Sequence, residues 1–282
     1  MNEEVRHFVV QRAHGQGYEE MRDALVVEEP LEIRLNNIPL AVVMRTPGHD
    51  FDLARGFLLT EGVLQKQRAK SKEQTASIGE EIEIGHARDE LGLEIPNVVN
   101  CRLPEISPAD IAGWQRHIFA SSSCGICGRA SIARVRVEAP ALHAAWQIPF
   151  PLLQGLPEKL RFHQTTFSRT GGLHAAALFS PAGDILVLRE DIGRHNAVDK
   201  ILGWALQQET PALAEHGLMV SGRLSFELVQ KALLGGIGLM AGISAASSLA
   251  VELAEESGMT LVGFLRGDTA VIYSQPRRIL FL

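Results

Sequence analysis

The feature that most restricts the fold of this chain is an alternation of short apolar runs with helix-period segments over residues 173–273. Strands are expected at Leu173–Phe179, Ile185–Leu188, Gly217–Val220, Ile237–Ile243, Thr260–Leu265 and Ala270–Tyr273. Helices are expected between them at Asn196–Leu206, Phe226–Leu234 and Ser248–Glu256. Strands alternating with helices predict an α/β layer with a largely parallel sheet.

The first third reads as β-rich. Leu31–Leu35 and Leu40–Met44 flank a connection opening with Asn36-Asn37, and asparagine tolerates the positive φ of a tight hairpin. After Pro47-Gly48, Asp50–Thr60 has helical periodicity, with Asp50 as N-cap and Gly62 as stop. Glu81–Arg88 and Val98–Leu103 are strand-like, and Ala109–Phe119 is a short helix led by Ser107-Pro108. The run Gln65–Ser77 is polar and reads as a surface loop. A stretch rich in proline and alanine, Glu138–Pro157, divides a β-rich domain (1–145) from the α/β domain (146–282).

Composition excludes several classes. Hydrophobic residues at 46% and charged residues at 21% suit a water-soluble core. A net charge of −6 disfavours duplex nucleic acid or an anionic membrane as partner, so an anionic ligand needs a local basic patch. The most apolar stretch, Ala232–Ala254, is broken by glycines, serines and Glu252 and does not read as a bilayer span. The opening residues show no basic segment followed by an apolar run, so no secretory signal is expected. Three cysteines are too few for a disulfide scaffold and point to a reducing compartment, the cytoplasm.

Two of those cysteines, Cys124 and Cys127, stand two residues apart in a loop of serines and glycines. Gly125 and Gly128 keep bulk away from the sulfurs, and Arg129 and Arg134 favour the thiolate. A zinc site would need four ligands, and Cys101 is the only other cysteine, without a paired-histidine partner motif. A thioredoxin-type motif should open a helix after a strand, whereas this pair follows an expected helix and leads into a strand at Ile132–Val137. The setting suits a thiol pair that carries sulfur as a persulfide, with thiol–disulfide exchange as the alternative. Cys101, in the apolar run Val98–Leu103, reads as a packed residue.

Anion-binding residues are candidates at three places. In Arg189–Lys200, Gly193 permits a turn and Arg194, His195 and Asn196 fall at a helix N-terminus. Equally, Asp191 would cap that helix and Asp199 would pair with His195. His174 follows two glycines at a strand start, and Ser221–Ser225 carries Arg223 and the N-cap candidate Ser225 at a strand's carboxyl end. Phe264–Thr269 forms the turn between the last two strands. No dinucleotide or Walker fingerprint occurs.

Together these stretches closely resemble the formate dehydrogenase accessory sulfurtransferase (FdhD) family. The matching segments are TPGHDFDLARGFLLTEG (46–62), SCGICGRASI (123–132), FSRTGGLHAAAL (167–178), REDIGRHNAVDK (189–200), SGRLSFELVQKA (221–232), ISAASSLAVELAEE (243–256) and LVGFLRG (261–267). The resemblance implies a sulfurtransferase that moves persulfide sulfur from a cysteine desulfurase to the molybdenum cofactor, bis(molybdopterin guanine dinucleotide). That cofactor is its bound substrate, with no permanent cofactor or metal of its own, and serves formate dehydrogenase. Cys124 would carry the persulfide and Cys127 would assist. Phe264, Leu265, Arg266, Gly267, Asp268 and Thr269 would bind the cofactor with its guanine nucleotide, although the family's turn is expected to be more basic than Asp268-Thr269. A homodimer and a cytidine-deaminase-like fold for the second domain are also implied. The deaminase zinc motif is absent from the sequence, so deamination is not. Two rivals share these residues: a cofactor chaperone whose cysteines only make contact, and a thiol–disulfide oxidoreductase.

Overall fold

The computed structural model describes residues 4–65, 82–104, 106–115, 142, 146–208 and 213–281. The chain opens with an antiparallel ribbon of β1 (Val5–His14) and β2 (Gly17–Val26), most of whose side chains are exposed. Next, β3 (Glu29–Leu35) and β4 (Ile38–Arg45) make the expected hairpin. Its turn places Asn36 and Asn37 at φ 51° and 66°, the left-handed pair that a tight hairpin requires. Strands β5 (Glu83–Arg88) and β6 (Glu94–Arg102) complete a four-stranded sheet in the order β4-β3-β6-β5. In the short helix α2 (Pro108–Gln115), Ser107 and Asp110 bond to each other's backbone and side chain, closing its first turn.

Between these strands runs α1 (Asp50–Thr60), and its start differs from expectation. His49, not Asp50, occupies the N-cap, in the left-handed region at φ 57°. Asp50 is taken by Arg45, which is fully buried and donates to both carboxylate oxygens at 2.9 and 3.0 Å. A guanidinium removed from water needs that partner more than the helix end does. Gly62 stops the helix as expected, at φ 79°.

Beyond residue 146 the chain forms three short helices, α3 (Phe150–Gln154), α4 (Leu156–His163) and α5 (Thr165–Thr170). Two prolines of this segment, Pro151 and Pro157, sit in the opening turns of α3 and α4, where their missing N–H is harmless. There follow β8 (His174–Phe179), β9 (Ile185–Asp191), α6 (Arg194–Ala205), β10 (Gly217–Val220), α7 (Phe226–Leu234), β11 (Leu239–Gly242), α8 (Ser248–Ser257), β12 (Thr260–Arg266) and β13 (Thr269–Ser274). They build a six-stranded sheet in the order β13-β12-β11-β10-β8-β9.

That sheet is mixed rather than largely parallel. Only β10–β11 and β11–β12 pair in parallel, each through a helical crossover, α7 or α8. Short turns after β8 and β12 can only reverse the chain, so those hairpins are antiparallel, as is β8 against β10.

Period-two alternation gives the sheet two buried faces. Ala176, Leu178, Leu218, Val220, Met240 and Leu261 face a core shared with α6, α7 and α8. Ala175, Ala177, Phe179, Met219, Leu239 and Val262 face the other side, under Leu153, Leu156 and Leu160 of α3 and α4. Also on that side, β7 (Ile148–Pro149) pairs with β14 (Ile279–Leu280). The first core continues through α1 to Leu31, Ile33 and Val99 of the small sheet, so hydrophobic contact runs unbroken from one sheet to the other.

Two glycines let α1 and α6 meet. A Cβ on Gly56 would lie 1.8 Å from the Asp199 carbonyl oxygen, and one on Gly203 would lie 1.8 Å from that of Asp52. Beside this crossing, Asp199 pairs with Lys231 at 2.8 Å and accepts from the Thr60 hydroxyl at 2.9 Å. The expected Asp199–His195 pair is therefore not made; His195 lies instead 2.6 Å from Glu227 of α7. The ammonium of α7, already close to Asp199, outcompetes a ring one turn away on the same helix.

Candidate functional site

Since β10, β11 and β12 run parallel, their carboxyl ends open on one edge of the sheet, where α/β folds gather ligands. Antiparallel β8 begins there, with His174 opposite Asp191, the last residue of β9. In order along this edge stand the β9–α6 turn, His174, the Ser221–Ser225 turn after β10, the Ile243–Ser247 turn after β11, and the outer part of β12. Three candidate segments scattered over the chain thus become neighbours.

Backbone bonds hold the edge firmly. Ser221 donates its N–H to the Ala175 carbonyl and accepts from the Ala175 N–H at its hydroxyl. Leu224 and the segment 245–247 exchange two further backbone bonds. Asp191 is buried and saturated: it accepts from the N–H groups of Thr46 and Gly193 and from the Asn196 amide, and pairs with Lys200 at 2.8 Å. It braces the turn rather than serving as the N-cap, a place held by Gly193.

Positive charge collects around His174. A Cβ on Gly222 would lie 3.4 Å from His174 Nδ1 and 3.9 Å from Arg194 Cδ, so both side chains border the space above that glycine. Burial, then the charges of Arg194, His195 and Arg223, push the His174 ring below its ordinary value, with Asp191 opposing. Ser225 is the N-cap of α7, as expected, but its hydroxyl caps nothing.

Further along, β12 departs from regular geometry. Phe264 has φ 48° and donates its N–H to the Ser244 carbonyl at 3.0 Å, tying this strand to the β11 turn. The Arg266 guanidinium lies 5.3 Å from the Phe264 ring centre. Gly267 and Asp268 make the hairpin turn; Gly267 is left-handed at φ 58°, and the Asp268 carbonyl accepts from Gln154. Leu265 is buried, whereas Arg266, Gly267, Asp268 and Thr269 are exposed.

Cys124 and Cys127, with the adjoining Ile132–Val137, lie outside the described residues, as do residues 66–77 of the polar run. Cys101 is placed as expected. Its side chain is fully buried in the small sheet, and burial pushes its thiol up from 9.0 to about 12. Such a thiol is neither ionised nor reachable.

One cleft had no counterpart in the sequence reading. Gly48, His49, Asp50, Phe51, Asp52, His86 and Gln207 line a cavity of about 450 Å³ at the start of α1. Asp52 accepts from Arg189 and Gln207 and sits 3.7 Å from His49 Nδ1, while Phe51 packs against His86. The only linear signal was the Gly48-His49 pair before a helix. Among the described residues no cluster of metal-ligating side chains occurs, and no helix is long and apolar enough to cross a membrane.

Comparison with known proteins gives a consistent result. The model of the FdhD/NarQ family matches residues 26–280. Sulfur carrier protein FdhD of Streptomyces coelicolor is 47% identical over 260 residues, covering 91% of this chain and 89% of that protein. The protein of the same name from Mycobacterium tuberculosis is 48% identical over 261 residues, covering 91% and 92%. That of Sulfolobus acidocaldarius is 39% identical over 257 residues, covering 91% of each. A crystal structure from Desulfotalea psychrophila, provisionally assigned as a formate dehydrogenase accessory protein, superposes with a TM-score of 0.71 at 24% identity, covering 98% and 99% of the two chains. At that identity the likeness speaks for the fold.

Proposed function

The chain belongs to the FdhD/NarQ family, and from that premise we propose that it is a sulfur carrier acting for formate dehydrogenase, with Cys124 as the sulfur-bearing residue. The observation that carries the assignment to these thiols concerns Cys101. Cys101 is fully buried and its thiol is pushed up to about 12, so it is unsuited to nucleophilic work, and the reading rests on the other two cysteines of the sequence, Cys124 and Cys127.

The transfer proceeds through two sulfur displacements. The Cys124 thiolate attacks the outer sulfur of a cysteine desulfurase persulfide; the new S–S bond forms on Cys124 and the desulfurase thiolate leaves. Cys127, as thiolate, then attacks the inner sulfur of the Cys124 persulfide. A Cys124–Cys127 disulfide forms and the outer sulfur departs as sulfide, reduced by two electrons from the two thiols. The receiving substrate is the molybdenum of bis(molybdopterin guanine dinucleotide), and a cellular dithiol resets the disulfide. Phe264–Thr269 holds the guanine nucleotide end of that substrate. The Phe264 ring offers a stacking face, while Arg266 and the left-handed Gly267 expose charge and backbone N–H groups. The scaffold for this substrate is an α/β layer of the cytidine-deaminase type, and the working form is a cytoplasmic homodimer.

Incubating the full chain with a cysteine desulfurase and cysteine, then weighing it, tests the proposal. A cyanide-labile gain of one sulfur is expected on the wild type and absent from Cys124→Ala. An adduct on Cys124→Ala at normal yield refutes the assignment. Restored formate dehydrogenase activity from the double cysteine variant would favour the chaperone instead.

A further inference from the structure

We propose that His174, Arg194 and Arg223 form an oxyanion subsite on the carboxyl edge of the six-stranded sheet, shaped for the diphosphate of a nucleotide. This rests on Phe264–Thr269 holding the nucleotide, and it assigns the part of the ligand for which that segment has little charge.

Four observations converge. First, Gly222 carries no side chain over the space that His174 and Arg194 border; a Cβ there would already touch His174 Nδ1 at 3.4 Å and come 3.9 Å from Arg194 Cδ. Second, the cations around that space lack counter-charges. Arg194 and Arg223 make no ion pair with any described residue, and Arg194 Nε is buried without a hydrogen-bond partner. The nearby carboxylates are already engaged, Asp191 by Lys200 and the turn, and Glu227 by His195. Third, the twelve-residue α6 and the nine-residue α7 both begin at this edge, and neither has its opening N–H groups closed by a side chain. The Ser225 hydroxyl at the start of α7 is buried and has no partner among the described residues. An anion satisfies all of these groups together.

Fourth, the subsite stands at a useful distance from Phe264. From β10 to β12 is two strand spacings, roughly 10 Å, which an extended nucleotide bridges between its phosphates and its base. Laid along the edge in this direction, the ligand keeps its phosphates away from Asp268, whose carboxylate would oppose them.

Calorimetric titration of the full chain with inorganic pyrophosphate, guanosine diphosphate and guanosine tests the assignment. The wild type should bind pyrophosphate, less tightly as salt rises. Arg223→Ala, at an exposed position, should weaken that binding about tenfold. His174→Gln should weaken it as well, and the His174 ring resonances should titrate at higher pH with pyrophosphate present. No pyrophosphate binding by the wild type, or binding unchanged in both variants, overturns the subsite. If guanosine and guanosine diphosphate then bind alike, the reading of 264–269 survives alone. Pyrophosphate binding that depends on Arg223, with guanosine diphosphate binding no tighter, upholds the subsite and removes the nucleotide from Phe264.

Discussion

Gly56 and Asp199 touch main chain to main chain: a single added methyl on Gly56 would sit 1.8 Å from the Asp199 carbonyl oxygen. Gly203 faces Asp52 in the same way. Gly56→Ala and Gly203→Ala should therefore each destabilise the fold by about 3 kcal/mol or more, because helix backbones rather than side-chain tips would have to move. Gly85→Ala, where a Cβ meets nothing within 4 Å, is the control and should cost little. Urea unfolding of the three variants would decide; equal midpoints would contradict the close crossing.

The Lys231–Asp199 pair makes a second test. Lys231→Met leaves a buried carboxylate whose remaining side-chain donor is Thr60, at an expected cost of about 3–5 kcal/mol. Adding Asp199→Leu should recover much of the loss, since no charge is then stranded. A double-mutant cycle showing strict additivity would mean that the two groups do not interact.

Cys101 gives a prediction in two parts. Iodoacetamide at pH 8 should leave it unlabelled in the native chain and label it after denaturation, as read by peptide mass. An unfolded thiol near 9.0 loses its proton before the folded one near 12, so native stability is full below pH 9 and declines as the pH climbs toward 12. Cys101→Ala should lose less stability over that interval, whatever its cost at neutral pH.

On the acid side, burial lowers the pKa of both His49 and His174 below the ordinary 6.5. Nearby cations lower both further, Arg189 at His49 and Arg194 at His174. As pH falls below about 6.5 the unfolded chain takes up these protons first, so the native state loses stability until the folded-state values are passed. His49→Asn suits the left-handed backbone at φ 57° and removes one titrating group. Its stability should fall less steeply between pH 6.5 and 5 than that of the wild type. An unchanged slope would show that His49 is not the group responsible.

Where a segment's fate depended on its own pattern, the sequence was a good guide. β10 and α7 lie at the residues their apolar periods marked, and Asn36-Asn37 turns as asparagine pairs do. Cys101 was legible as a packed residue because its neighbours alternate into a sheet. Partner choice was less legible, being a competition among distant groups. Asp50 looked like a cap until buried Arg45 claimed it, and His195 looked like a mate for Asp199 until Lys231 and Glu227 divided the two. The sheet appeared parallel because alternation counts helices between strands but not the hairpins at β8–β9 and β12–β13. The short helices that begin at residues 150 and 156 were not legible, because five and eight residues are too few to show a clear period. The basic cluster at His174 was visible only as three separate candidates, since strand order alone brings them together.

The meeting of α1 with α6 also sets a timetable. Thr60 and its acceptor Asp199 are separated by 139 positions in the chain. At about 5–20 residues per second of synthesis, α1 leaves the ribosome roughly 7–30 s before the helix it must touch. Throughout that interval its glycine-notched flank has no helix to close on, and only the side toward Leu31, Ile33 and Val99 of the small sheet can be covered. A nascent chain of this protein therefore spends much of its making in a sticky, half-covered condition, and slowing translation between these two helices should raise its demand for holding chaperones.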